Sequence, residues 1–357
     1  MSHNTPPKLH EPLARRVTIS HIAKEAGVSK TAVSFAFNDP SQLASSTVEH
    51  IREVADRLGY TPDPIARSMT TRRTNALGLL LPQAIGTAMA NPYYAPFLAG
   101  VGQVCGITGH TLMLVPPLWG SVLKAIPAAS VDGFIVVGLE IDRGEVLQLR
   151  RRRVPFVMVD SDAPDDVLAV NVDDRGGARA IMERVLAHGH RRIAILCFES
   201  WHIRADAFTG TLAARLAGYG DALAAAGMAL DSPMVATLGV QVSRDGGRDG
   251  YAQLREQGFA PSAIVAMSDV IAFGAIEAAL DDGRAVPGDI SVVGFDDLPE
   301  ARYVLPGLTT VAQAVEAKGR LAAELLTAAL AGPLPPEHRL LPTTVVMRGS
   351  LGVAGSS

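Results

Sequence analysis

Val17-Thr18-Ile19-Ser20-His21-Ile22-Ala23-Lys24-Glu25-Ala26-Gly27-Val28-Ser29 reads as one helix, a turn and the opening of a second helix. Thr18 can cap a helix from about Ile19 to Ala26, because its hydroxyl can accept a free N–H of the first turn. Gly27 ends that helix as a left-handed residue, a conformation open to a residue without a Cβ. Ser29 caps a second helix from Lys30 to about Asn38. Ser46-Thr47-Val48-Glu49 has the form of a capping box and predicts a third helix. Val48, Ile51, Val54, Ala55 and Leu58 lie along one face of it, and Gly59 stops it. Three short helices with a glycine turn between the first two make a helix-turn-helix. Ala23, Gly27, Val28 and Val33 stand at its small, left-handed and apolar positions.

On the N-terminal side, residues 1–14 are Pro-rich and polar and read as a disordered tail, so the helix-turn-helix domain covers 15–60. On the other side, Thr61-Pro62-Asp63-Pro64 breaks the pattern, and 61–74 reads as a hinge helix and linker. From Asn75 onward the chain alternates apolar strands with helices. Strands are predicted at Leu77–Leu81, Thr111–Val115, Gly133–Val137, Phe156–Asp160, Ala169–Val172, Ile193–Phe198, Ala263–Met267 and Ser291–Phe295. Helical patterns include Gly176–His188, Leu212–Ala226, Gly246–Gln257 and Val270–Asp282. That alternation predicts an α/β fold with doubly wound parallel sheets. So many units exceed one sheet, so residues 75–350 divide into two subdomains. The first is set at about 75–173 and 308–337, and the second at about 174–307 and 338–350. Such sheets bind ligands off the carboxyl ends of their strands.

At 357 residues, with 48% hydrophobic and 19% charged residues, the chain has the balance of a soluble globular protein of more than one domain. Its apolar runs are too short for a membrane helix, and its start lacks an apolar signal-peptide core. Cys105 and Cys197 form no disulfide or zinc pattern. A cytoplasmic protein is expected, with no membrane partner, no metal and no cofactor. The net charge of −4 is uneven: residues 1–73 hold ten Lys/Arg against seven Asp/Glu, leaving 22 against 29 in the remainder. A basic head on an acidic body confines phosphate binding to one end. Gly100-Val101-Gly102 lacks the third glycine of a dinucleotide fingerprint and lies within a predicted helix. No hydrolase or metalloprotease motif occurs, so catalysis is not expected. Trp119 reads as a core residue.

The string from Val17 to Ser29, with Ala32-Val33-Ser34, Asn38, Ala55-Asp56-Arg57-Leu58-Gly59-Tyr60-Thr61-Pro62 and Ala66-Arg67-Ser68-Met69, resembles the headpiece of the LacI/GalR family of regulators. Asn91-Pro92-Tyr93-Tyr94, Val172-Asp173-Asp174-Arg175-Gly176-Gly177, Val286 through Asp297 and Leu308-Thr309-Thr310-Val311 extend the likeness. The resemblance implies a periplasmic-binding-protein-like effector domain, a homodimer or higher assembly, and allosteric control of operator binding. Repression is the family default. A periplasmic-type sugar-binding protein or a purine- or nucleoside-responsive regulator is the alternative.

In a helix-turn-helix the second helix enters the major groove, which selects Lys30, Thr31, Ser34 and Phe35 for base edges. Lys30 can donate to guanine, and Thr31 and Phe35 can touch a thymine methyl. By resemblance, Thr18, Ser29, Ser34, Asn38 and Thr47 contact phosphates, and Ala66 and Met69 belong to a hinge whose apolar side chain wedges into the minor groove. Phe35 stands where an Arg is common in the family, so a different half-site preference is expected. For the effector, Asp160, Ser268, Asp269 and Asp296 fall at predicted strand ends, where carboxylates can accept sugar hydroxyls. Arg215 can donate to a sugar, and Tyr94 can stack on its ring. Asp269 is also expected to cap the helix that follows it. Asp245 stands where some relatives carry an aromatic platform, which favours a hydroxyl-rich ligand, and Trp201, with His202 and Arg204, is the substitute wall.

Overall fold

The first two helices of the head carry their own start and stop. In the computed structural model, which describes residues 17–61, 68, 71, 73–138, 144–199 and 210–355, α1 is Ile19–Ala26, α2 is Lys30–Asn38 and α3 is Ser45–Arg57. Gly27, with φ of 67°, turns the chain from α1 toward α2, and the Ser29 hydroxyl accepts from the Ala32 N–H at 3.1 Å. α3 opens earlier than the expected capping box. Its first residue is Ser45 and its N-cap is Ala44, which has no hydroxyl to offer, so Ser46 caps nothing. Ile22 and Ala23 of α1, Val33 and Ala36 of α2, and Ile51, Val54 and Ala55 of α3 are buried together, one apolar stripe from each helix. The chain divides into two units, Met1–Thr74 and Asn75–Ser357. Most of the expected hinge, including Ala66 and Met69, lies outside the described residues.

The second unit is built on strands β1 (Ala76–Leu80), β2 (Thr111–Val115), β3 (Gly133–Val137), β4 (Phe156–Val159), β5 (Leu168–Val172), β6 (Ile193–Phe198), β7 (Val235–Val240), β8 (Ala263–Ala266), β9 (Ser291–Asp296), β10 (Thr309–Gln313), β11 (His338–Leu341) and β12 (Thr343–Val346). Its helices are α4 (Ile85–Ala90), α5 (Tyr94–Thr108), α6 (Val122–Ala128), α7 (Glu145–Arg152), α8 (Asp174–Ala187), α9 (Gly210–Ala225), α10 (Arg244–Glu256), α11 (Asp269–Asp281) and α12 (Val315–Ala331). Two six-stranded sheets result, in the orders β11-β5-β4-β3-β1-β2 and β12-β10-β9-β8-β6-β7. Both orders follow one plan. All the pairings are parallel except β10 with β12. β1, β3 and β9 are buried along their whole length, which is why they read as continuous apolar runs.

The expected subdomain boundary is corrected by the sheets. β10, within the 308–337 stretch assigned to the first subdomain, is hydrogen-bonded into the second sheet beside β9. β11, assigned to the second, pairs with β5 of the first. The chain therefore passes between lobes after β5, after β10 and between β11 and β12. α12 packs on α5 and on β3, β4 and β5 of the first lobe. That contact explains Gly100. A Cβ there would overlap the Glu316 carbonyl oxygen, and one on Gly319 would overlap the Phe97 carbonyl oxygen, so the two helix backbones touch. Trp119 is 85% exposed rather than part of the core, and the Lys124 ammonium lies 5.8 Å from its ring. No helix among the described residues is long and apolar enough to cross a membrane.

Candidate functional site

Packing of the head divides α2 into two faces. Val33 and Ala36 turn inward, while Lys30, Thr31 and Phe35 are exposed and Ser34 is half-buried. The neighbouring aromatic, Phe37, instead packs against Tyr60 with ring centroids 5.5 Å apart. Thr31, Ser34 and Phe35 therefore share the outward stripe, the spacing of one helical face. The Asn38 amide donates to the Ser34 hydroxyl at 3.2 Å, so these two polar groups hold one another. The Thr18 N–H donates to His21 Nδ1 at 3.1 Å at the start of α1, and Thr47 is half-buried in the first turn of α3.

In the second unit a cavity of about 280 Å³ lies off the carboxyl ends of strands from both sheets. Asp160 follows β4 in the first lobe, Ser268 follows β8 in the second, Asp296 ends β9 and Gln313 ends β10; all four line it, with Tyr94 and Arg215. Asp160 and Asp296 hold left-handed or otherwise positive φ values, 52° and 138°. Such strain at non-glycine residues persists where surrounding contacts determine the side chain's place. Here those contacts are explicit. Lys318 Nζ donates to Asp160 Oδ1 at 2.6 Å, and the Tyr93 hydroxyl donates to Asp160 Oδ2 at 2.5 Å. Lys318 Nζ also donates to Gln313 Oε1 at 2.5 Å, and Gln313 Nε2 donates to Asp296 Oδ1 at 2.5 Å. One hydrogen-bonded line thus joins a carboxylate of the first lobe to one of the second across the floor of the cavity.

Arg215 is held with equal care. Its Nε donates to Asp174 Oδ1 at 2.8 Å, a terminal nitrogen bonds the Met267 carbonyl oxygen, and its guanidinium carbon lies 3.6 Å from the centre of the Phe295 ring. Its other terminal nitrogen is 4.0 Å from Asp296 Oδ1. Burial pushes the Asp296 carboxyl up to about 6, against the opposing pull of Arg215 and of the Gln313 hydrogen bond. Burial likewise raises Asp174, with Arg215 pulling the other way, and raises the Tyr94 phenol to about 12. The Ser268 hydroxyl is buried in the cavity wall without a hydrogen-bond partner.

Of the expected effector residues, Tyr94, Asp160, Arg215, Ser268 and Asp296 are brought together. Two are not. Asp269 is fully buried outside the wall, with Oδ2 accepting from the Leu298 N–H at 2.8 Å and Oδ1 from the Thr310 hydroxyl at 2.5 Å. Both oxygens are spent fastening β10 and the loop after β9, and the N-cap of α11 is Ser268, so the expected helix cap is corrected too. Asp245 is exposed in the first turn of α10, and the wall there is Val242. Trp201, His202 and Arg204 lie outside the described residues. Tyr93, Asp174, Gln313 and Lys318 were not anticipated. Lys318 carried a readable signal: with Val315, Gly319, Ala322, Ala323 and Leu326 it occupies the buried stripe of α12, where an unpaired lysine is rare.

The comparisons with known proteins agree with this division. Residues 18–63 match the family described as bacterial regulatory proteins, lacI family, and residues 182–351 match the periplasmic binding protein-like domain. An HTH-type transcriptional regulator of Mycobacterium tuberculosis is 35% identical over 331 residues, covering 87% of this chain and 90% of that protein. Among solved structures, a complex of the transcriptional regulator CelR with cellobiose aligns with a TM-score of 0.69 at 29% identity, covering 94% of this chain and 100% of that one. A lac repressor dimer bound to operator and the anti-inducer ONPF aligns with a TM-score of 0.79 at 23% identity, over 95% and 100%, which speaks to the fold. The helix-turn-helix head and the two-lobed body with a polar cavity have known counterparts along nearly the full length of the chain, which is a transcriptional regulator and belongs to the lacI family of bacterial regulatory proteins.

Proposed function

We propose that the protein is a repressor that binds a palindromic operator as a dimer and is controlled by a small molecule, a sugar or related polyhydroxylated metabolite. The observation that carries this reading is the joint presence of an outward α2 stripe and a separate cavity walled by carboxylates, an arginine and an unpartnered hydroxyl. Lys30, Thr31, Ser34 and Phe35 read base edges, and each good contact discriminates by about 1–3 kcal/mol. Thr18, Ser29, Asn38 and Thr47 hold phosphates and set the register. Phe35, apolar and 37% exposed, prefers a thymine methyl to a guanine edge. Ala66 and Met69 remain assigned to the hinge and its minor-groove wedge. In the body, Tyr94, Asp160, Arg215, Ser268 and Asp296 hold the effector. The cellobiose bound to CelR supports a sugar as the ligand class. Regulation rather than catalysis is the function inferred.

Fluorescence anisotropy at physiological salt tests the operator reading. Palindromic genomic fragments should bind at least about 1000-fold more tightly than random duplexes. Equal binding of both would sink it. Phe35→Arg should move the half-site preference from thymine toward guanine at one position. A thermal-shift screen of sugars and nucleosides tests the cavity, because a ligand that binds only the folded state raises the melting temperature.

A further inference from the structure

The cavity's charges are unevenly committed. Asp160, Asp296 and Glu199 contribute carboxylates to the wall, and Arg215 is the only Lys or Arg among the described residues that line it. Arg215 keeps one terminal nitrogen without a hydrogen bond, which offers a ligand a single-nitrogen contact rather than a two-nitrogen fork. Asp174 takes its Nε, the Met267 carbonyl takes one terminal nitrogen, and the other already faces Asp296. Bidentate capture of a phosphate or carboxylate needs a free guanidinium edge. Beneath the wall, Lys318 is fully buried, and Asp160, Gln313 and the Tyr93 hydroxyl accept its hydrogen bonds at 2.6, 2.5 and 3.3 Å. An ammonium has three N–H donors, so this cation is saturated.

We propose that the cleft takes an uncharged hydroxyl-rich ligand and rejects its phosphorylated and carboxylated counterparts, because, of the described cations at its floor, Lys318 is saturated and Arg215 keeps no free two-nitrogen edge. The proposal rests on the effector reading of the same cavity and narrows it. An O–H of a neutral ligand can donate to the wall carboxylates and can bond the free Ser268 hydroxyl. An anion would instead be desolvated beside like charges. Placed near Asp296, Asp160 and Glu199, a negative group loses about two decades of affinity to the three carboxylates together, at an effective dielectric of about 20.

Titration calorimetry on the full chain tests this with matched sets: glucose, glucose 6-phosphate and glucuronate; ribose and ribose 5-phosphate; cellobiose and cellobionate. The expected result is that at least one neutral sugar binds and its anionic partners bind about 100-fold more weakly. Removing a wall charge should narrow that gap, about tenfold in Asp296→Asn, or several-fold in Glu199→Gln if the first variant does not fold. An anionic member that binds as tightly as its parent overturns the proposal and leaves the effector cleft standing. So does a gap that neither variant moves. If no compound in any set binds, the effector reading itself fails, and the proposal with it.

Discussion

The two lobes of the body share one strand order and differ in how their cleft residues are completed. In the second lobe the charges are settled locally: Arg215 of α9 meets Asp174 of α8 and faces Asp296 of β9, all within elements of that lobe. In the first lobe Asp160 has its cation 158 residues further along the chain, on α12, after the polypeptide has visited the second lobe and come back. The helix contacts repeat the contrast. Gly274 of α11 lies against the Arg244 carbonyl of the preceding helix, α10, whereas Gly100 of α5 lies against α12. The second lobe settles its cleft charges within its own helices and strands, although β12 returns to complete its sheet. The first is finished by a returning segment, and through Gln313 that segment ties the first lobe's acceptor to Asp296 of the second.

Removing the returning cation should break this arrangement most severely. Lys318→Met leaves Asp160, whose side chain is only 16% exposed, without its ion partner. The loss of one member of a buried pair costs about 3–5 kcal/mol, measurable by urea denaturation. A loss below about 1 kcal/mol would mean that the first lobe does not depend on the pair.

The second lobe's weak point is pH. Asp296 titrates near 6 when folded, against an ordinary value of 3.8. A carboxyl raised by folding holds its proton more tightly in the folded state. Its stabilising contribution is complete below about pH 4 and is lost as pH rises through about 6, a change of about 3 kcal/mol. Asp269 is displaced in the same direction by burial and by the charge of Asp296. Asp296→Asn cannot ionise, so its stability relative to the native protein should climb between pH 4 and pH 7.5. A difference that stays flat across that range would show Asp296 to be ionised throughout.

Smaller effects sharpen the comparison. Gly100→Ala and Gly274→Ala each force a Cβ into a facing helix backbone and should each cost about 1–3 kcal/mol, read as a lowered melting temperature. Comparable losses would mean that local and long-range closure bear equally on stability. Least of all, Ser268→Ala should change stability by under about 0.5 kcal/mol, because its hydroxyl has no partner to lose. It should weaken a bound sugar by about 1 kcal/mol.

Local signals were the legible ones. Gly27 and Ser29 announce the turn and cap of the head. The apolar runs announce β1, β3 and β9, and placing Asp160, Ser268 and Asp296 at strand ends was enough to put them in the cleft. β7, β10, β11 and β12 were not predicted; β11 and β12 are short and partly exposed, so they lack the continuous apolar run of a covered strand. Asp269 was misjudged because its position at the start of α11 says nothing about Thr310, which arrives 41 residues later and takes one of its oxygens.

By itself the sequence determined a three-helix head, a body of two largely parallel sheets and, of the cleft's side chains, Asp160, Ser268 and Asp296, since caps, periodicity and strand ends are properties of neighbouring residues; Tyr94 and Arg215 were chosen by their chemistry and by the family resemblance. Only the tertiary structure decided which lobe owns β10 and β11, that Asp245 and Asp269 stand apart, and that Lys318 completes Asp160 while Gln313 joins it to Asp296. Those outcomes depend on which distant segments are packed together in a low-dielectric interior, where a charge must find its partner wherever along the chain that partner lies.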